Sequence, residues 1–303
     1  MGGFFQELAK KLAERWVSLL LVPGALFAAA AWVGVRLGHR HALDWSQLGR
    51  VVSDTVAATG RQSAGAQVVP VVAVLLVAIG TGLAVQALAG MTRLVWLGEW
   101  PRPLAPFHRR RVADRRKSWR EHLQQRRQLE HEYPRETRTT DQQDAINDAA
   151  DRVNRIALAQ PARPTWMGDR MHSVEQVALN RYGLDLSFAW PRLWLVLPDT
   201  TRAEITGAHA SFAAAVATGT WAWPYLLVGT VWWPAALAGL GIGATGWARA
   251  RSAIIDLSAL AESALDVHGR TLATALGVAD ENSVGPLTFA EGEQLTRLLR
   301  KGR

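Results

Sequence analysis

Residues 205–248 read ITGAHASFAAAVATGTWAWPYLLVGTVWWPAALAGLGIGATGWA, forty-four residues between Glu204 and Arg249 without one Asp, Glu, Lys or Arg. A helix rises about 1.5 Å per residue and the apolar slab of a bilayer is about 30 Å thick, so this stretch is long enough to cross twice. Trp221, Trp223, Trp232 and Trp233 gather near its middle and Trp247 near its end, where indole rings favour the headgroup level. The pattern predicts a tight hairpin with spans at about 208–229 and 232–249.

Working outward, two earlier apolar blocks predict a first hairpin, with spans at about 16–36 and 68–90. Trp16 and Trp32 flank the first span, and Pro23-Gly24 is placed to kink it, because proline removes a helix hydrogen bond. Pro70 falls in the first turn of the second span, where proline is tolerated. The first block reads as a retained helix rather than a cleaved leader. Its small residues Ala28–Ala31 lead into Trp32-Val33-Gly34-Val35, not into a polar mature start. Residues 2–15 place Phe5, Leu8 and Leu12 at helical spacing among Lys10, Lys11 and Arg15, an amphipathic surface segment or the start of span one.

The fold class that follows is all-α: four transmembrane helices in two hairpins, with a cytoplasmic helical domain and a helical C-terminal tail. The divisions are 1–97, 98–205, 206–250 and 251–303. Hydrophobic residues are 49% of the 303 and charged residues 20%, averages that hide this mosaic. With no cysteine, disulfides, thiolate catalysis and Cys-ligated metal clusters are excluded.

Orientation comes from Lys and Arg near the span ends. Lys10, Lys11, Arg15, Arg93, Arg102, Arg109, Arg110, Arg111, Arg192, Arg202, Arg249 and Arg251 fall on one side. Arg36, Arg40, Arg50 and Arg61 fall on the other. The excess places both termini and the middle domain inside, in a multi-pass protein of the inner (plasma) membrane.

Within the middle domain, the charge-dense stretch 107–138 predicts a long solvated helix that ends at Tyr133-Pro134. Thr140 with Gln143 predicts a capping box. A helix at about 168–181 ends at Gly183, suited to a left-handed cap. Pro191 suits the first turn of a short aromatic helix, and Thr201 with Glu204 predicts the cap of the helix that enters span three. Thr288 with Glu291 predicts the cap of a last basic helix.

Candidate sites are few. Arg109, Arg110, Arg111, Arg115 and Arg116 form a basic run for which anionic lipid is the functional reading and a solvated positive-inside face the plain one. Nucleic acid is disfavoured, since only Phe107 and Trp119 interleave as stacking platforms. Asp141, Asp144, Asp148 and Asp151 share a helix face without the Glu-x-x-His partners of a di-metal site. No His pair has HExxH spacing, and Ser63 lacks a Gly-x-Ser-x-Gly elbow, so no catalytic, metal or cofactor site is assigned. Ala235, Gly239 and Gly243, like Gly80 and Ala84, stand four residues apart, a spacing that lets helix backbones approach closely within the chain or between copies. Thr81, Gln86, Thr218 and Thr220 are the few polar side chains for a pore.

One block carries a resemblance. Pro164-Thr165 with Gly168-Asp169, Arg181-Tyr182-Gly183-Leu184-Asp185, Trp190-Pro191-Arg192-Leu193-Trp194 and Leu197-Pro198-Asp199 resemble a signature of uncharacterised, mostly actinobacterial, multi-span membrane proteins. The resemblance implies a shared fold element and no activity. Taken physically, Arg181, Asp185, Arg192 and Asp199 beside buried aromatics predict a helical corner pinned by Arg–Asp pairs, or a binding surface. The expected function is therefore a non-enzymatic, membrane-anchored interaction or signalling module. It takes a protein partner at the cytoplasmic face through Trp190, Arg192, Trp194, Arg181 and Asp185. The alternatives are an oligomeric pore or membrane-disrupting effector, and a membrane-bound enzyme.

Overall fold

The structure is a computed structural model that describes residues 21–61, 64–280 and 282–300. The predicted amphipathic segment 2–15 and the start of span one lie outside those residues. The fold is all-α, with no strand among the described residues. The helices are α1 (Val22–Leu37), α2 (Trp45–Gly60), α3 (Ala64–Trp96), α4 (Ala105–Glu132), α5 (Thr140–Ile156), α6 (Trp166–Tyr182), α7 (Leu186–Val196), α8 (Asp199–Thr220), α9 (Ala222–Gly229), α10 (Trp233–Ala275) and α11 (Phe289–Arg300). By their contacts the residues fall into two compact units, Met1–Thr92 with Ala213–Arg249, and Arg93–Phe212 with Ala250–Arg303.

The first unit is apolar. Among the described residues one helix is long and apolar enough to cross a membrane, the Val68–Trp96 stretch of α3, and only 17% of its most apolar window is buried. The other three predicted spans do not reach that measure by themselves. α1 is described over 16 residues. The third span is divided into α8 and α9 at Trp221. Pro224 explains the division, because its ring clashes with the carbonyl four residues back and it offers no N–H there. The fourth span is rich in Gly and Ala, which dilutes its hydropathy, and it does not stop at Arg249. α10 continues for 43 residues to Ala275, since Pro234 stands in its first turn and no further proline follows until Pro286.

Helix contacts in this unit depend on missing side chains. A Cβ on Gly24 would stand 2.1 Å from the carbonyl oxygen of Ala78, so α1 meets α3 backbone to backbone there. A Cβ on Gly246 would stand 2.5 Å from Gly219 Cα, which joins α10 to α8 in the same way. Phe27 of α1 meets Tyr225 of α9 edge-on at 5.5 Å. At one end, Trp232 Nε1 donates to Ala42 O (3.1 Å) and His39 Nε2 lies 2.8 Å from Thr230 O, tying the loop after α1 to the α9–α10 turn. Asp44 opens α2 by accepting from the Ser46 hydroxyl and the Gln47 amide. Those bonds hold its carboxyl below the usual range.

The second unit is a conventional buried core: Ile146, Val153, Met167, Leu184, Leu193, Ile254, Leu272 and Leu295 are all at most 4% exposed. Several predicted boundaries move. The capping box uses Thr139 and Gln142, one residue before the predicted pair. Both pairs match the pattern, and Gln143 is engaged by Arg138 instead (3.2 Å). α8 begins at Asp199, so Thr201 and Glu204 lie inside the helix rather than capping it. Pro191 and Pro70 likewise stand inside their helices, which begin earlier than the prolines suggest. The caps at Gly183 (φ +63°) and at Thr288–Glu291 are as expected. The Glu291 carboxylate also accepts from the Thr288 hydroxyl and meets Arg270 at 3.1 Å. Its pKa is lowered, chiefly by those Thr288 bonds.

Candidate functional site

Two features of the second unit have concave surfaces: the aromatic helix α7 and the basic helix α4. At α7 the chain turns twice within four residues. Gly183 in the left-handed conformation closes α6, and Asp185 caps α7 through the Ser187 amide (3.2 Å). α11 clamps this corner. Thr296 Oγ1 donates to Gly183 O (2.8 Å) and accepts from the Asp185 amide (2.9 Å), while Arg300 reaches Asp185 Oδ2 at 2.7 Å. Gly292 makes the approach possible, since a Cβ there would lie 1.8 Å from Tyr182 O. Arg–Asp pairs do form, but not among the four residues expected: Asp185 pairs with Arg300 and Arg181 with Asp266 at 3.8 Å, both distant in sequence, while Asp199 pairs with Arg202 one turn on. Arg192 donates to Phe188 O within its own helix. Tyr182 donates to Asp266 (2.5 Å), and burial together with that bond pushes its hydroxyl up to about 12.

α7 buries Leu186, Ala189 and Leu193. Trp190 and Trp194, with ring centroids 6.3 Å apart, flank a cavity of about 700 Å³. Met171, Pro191, Ile205 and Leu257 continue its apolar wall, and Glu175, Ser187, Thr206 and His209 supply the polar groups. The volume is in the range of small-ligand clefts and the chemistry is that of one: an apolar body with a few polar groups. Of the predicted partner-binding residues, Trp190 and Trp194 line this cavity; Arg181, Asp185 and Arg192 do not.

At α4 the basic run divides. Arg115 is turned inward, its guanidinium on Asp169 Oδ2 (2.7 and 3.0 Å) and Ile156 O (2.7 Å). Asp169 is 4% exposed, and its other oxygen accepts the amides of Ala162 and Arg163 at 2.7 Å each. This pair is a structural node, because a buried carboxylate persists only when paired and hydrogen-bonded. Arg116 is held by Pro161 O (2.7 Å) and Trp119 by Ala157 O (3.0 Å). Arg109, Arg110 and Arg111 are exposed. Gly168 completes the node, since a Cβ there would stand 2.2 Å from Leu97 O. Sequence reasoning missed Arg115–Asp169, because nothing in a run of arginines marks the one that faces inward.

The small-residue rows also divide. Gly239 abuts Ala222 and Leu226, and Gly243 abuts Ala222, so these serve the contact of α10 with α9. Ala235 is 1% exposed. Gly80 has nothing within 4 Å of a built Cβ, and Ala84 is exposed. On α3 it is Ala78, 0% exposed, that meets α1. Among the described residues no group of three His, Asp or Glu is arranged to hold a metal ion, the Asp141–Asp151 stripe included.

No family model matches this chain, and neither a curated protein nor a solved structure does.

Proposed function

We propose that this chain is a four-span, non-enzymatic protein of the plasma membrane whose cytoplasmic helical domain takes a protein partner in the Trp190–Trp194 cavity. One observation carries the membrane part: α3 leaves Val69, Val71, Leu76, Val77 and Leu83 more than 45% exposed. In water each such side chain forgoes about 1.5–3 kcal/mol of burial, whereas lipid removes that cost. The bonds from His39 and Trp232 to the opposite loops support the pairing of the two hairpins with their turns at one end. The Lys and Arg excess near the span ends supports a cytoplasmic domain. The resemblance to bacterial multi-span proteins fits this reading.

The cavity supports a binding role over a purely structural one. A well-packed corner fills its voids, and here two tryptophans remain half-buried beside open volume. The pore alternative gains less. The hydroxyls of Thr81, Thr218 and Thr220 donate to their own helices' carbonyls at 2.7–2.9 Å, which occupies their donors and leaves Gln86 as the one amide among the candidates.

Two measurements test the proposal. Accessibility tags at residues 50 and 231 are expected outside, and tags at 150 and 280 inside. A photo-crosslinking aromatic in place of Trp190 is expected to yield a discrete protein adduct in native membranes, and the same probe at exposed Leu195 is not. A chain extracted by alkaline carbonate, or identical adduct patterns at the two positions, would reject it.

A further inference from the structure

A second concave surface lies along α4, with a volume of about 620 Å³. His108, Arg109, Arg116, Lys117 and Arg120 line it over a floor that includes Val112, and Glu121 is its only acid. The side chains of Arg109, Lys117 and Arg120 are exposed and make no ion pair or hydrogen bond with another described residue. Arg116 differs: its Nε is fixed on Pro161 O, so its guanidinium is held in place at the wall before any ligand arrives. Four cations facing one hollow with a single carboxylate attract an anion, and guanidinium forks suit phosphate oxygens.

The surroundings say which anion. The groove begins at His108, whose ring packs edge-on against Trp100 at 6.1 Å. Trp100 stacks on Phe107 at 5.5 Å with 15° between planes, and its Nε1 donates to Val95 O in the last turns of α3. Phe107 and Leu104 are 58% and 46% exposed. An exposed aromatic cluster at the end of an apolar helix, followed directly by free cations, is the arrangement of a membrane interface. Nucleic acid would call for aromatics interleaved along the groove, and its lining holds none apart from His108.

We propose that the α4 groove binds the phosphate headgroup of an anionic phospholipid, an assignment that rests on the membrane reading of α3. Arg109, Lys117 and Arg120 contact the phosphate, Arg116 positions it, and Trp100, Phe107 and Leu104 sit against the adjoining acyl region.

The test uses the full chain in neutral detergent, incubated with equal amounts of phosphatidylglycerol and phosphatidylcholine, with bound lipid counted by native mass spectrometry. Wild type is expected to prefer phosphatidylglycerol. The variant R109Q/K117Q/R120Q is expected to lose that preference at least fivefold. A charge-matched control outside the groove, R110Q/R111Q/R127Q, is expected to lose less than twofold. Equal losses in the two variants would reduce the effect to diffuse charge and overturn the site. Glycerol phosphate displacing the lipid as well as short-chain phosphatidylglycerol does would overturn the lipid assignment in favour of a soluble phosphate compound. Displacement by a short single-stranded oligonucleotide at lower concentration would overturn it in favour of nucleic acid. Carbonate extraction of the same membranes separates the two levels. Release of the wild type means the membrane reading has failed; retention with an unaffected groove variant means only the headgroup site has.

Discussion

The apolar unit and the helical unit are held together by different means. In the first, specificity is subtractive: helices meet where a side chain is absent, as at Gly24 against Ala78 and Gly246 against Gly219. In the second, close glycine approaches recur at Gly168 and Gly292, and side-chain pairs are added to them: Arg115 meets Asp169, Thr296 bridges Gly183 and Asp185, and Arg270 meets Glu291. On the proposed membrane reading, the physical reason lies in the solvent each faces. A helix surrounded by lipid gains little from covering one apolar side chain with another, so close backbone approach must supply the contact. A helix surrounded by water gains from burial, and its remaining polar groups then need partners.

The largest effect expected from this contrast is at Asp169. Asp169→Ala leaves the half-buried Arg115 guanidinium with Ile156 O alone and takes the acceptor from the Ala162 and Arg163 amides, and about 3 kcal/mol of stability is expected to be lost. Denaturant unfolding followed by proteolysis of residues 93–212 reports it, and Arg115→Met with Asp169→Leu should recover only part of the loss, because the Ala162 and Arg163 amides stay without their acceptor. A single variant that melts like wild type would show the node to be dispensable.

Next is a glycine pair within α1 and α3. Gly24→Ala is expected to destabilise the apolar unit by about 1–3 kcal/mol, the usual cost of overpacking. Gly80→Ala, with open space around it, should be neutral or slightly stabilising. Thermal stability in detergent tests both, and equal effects would dissolve the subtractive picture.

At the Thr288–Glu291 cap, Glu291→Gln keeps the box, as Gln142 does beside Thr139, and is expected to cost about 1 kcal/mol through the lost charge toward Arg270. Because the folded carboxyl is held below its ordinary value, its contribution is full above the unfolded value near about 4.3 and falls away as pH drops through the folded one. The gap between wild type and variant in urea melts should therefore close toward acid. An effect of similar size, about 1 kcal/mol, is expected by the same melts for alanine at Gly277 (φ +70°).

Particular elements show how far the chain could be read in advance. Helices announced by local chemistry were legible: α5 by its stripe, α6 by the Gly183 cap, α11 by Thr288–Glu291. Prolines misled, because Pro70 and Pro191 stand inside helices that continue before them, and Pro224 instead divides a span expected to be continuous. Of the candidate residues, the tryptophans of α7 were legible as a pair at helical spacing. Asp185 was legible as part of a pinned corner but its partner Arg300, 115 residues away, was not, and the inward turn of Arg115 toward Asp169, 54 residues away, was not legible at all.

What the sequence by itself determined is the alternation of charge-free and charged segments, hence the all-helical class and the long apolar helix. These follow from local periodicity and composition, which each residue carries wherever the chain goes. Tertiary structure alone decided which arginine of a run turns inward, which glycine of a row is needed, and where Trp190 and Trp194 leave space. Those are questions of which distant atoms share a few ångströms, and no residue's chemistry specifies its neighbour until the helices are packed.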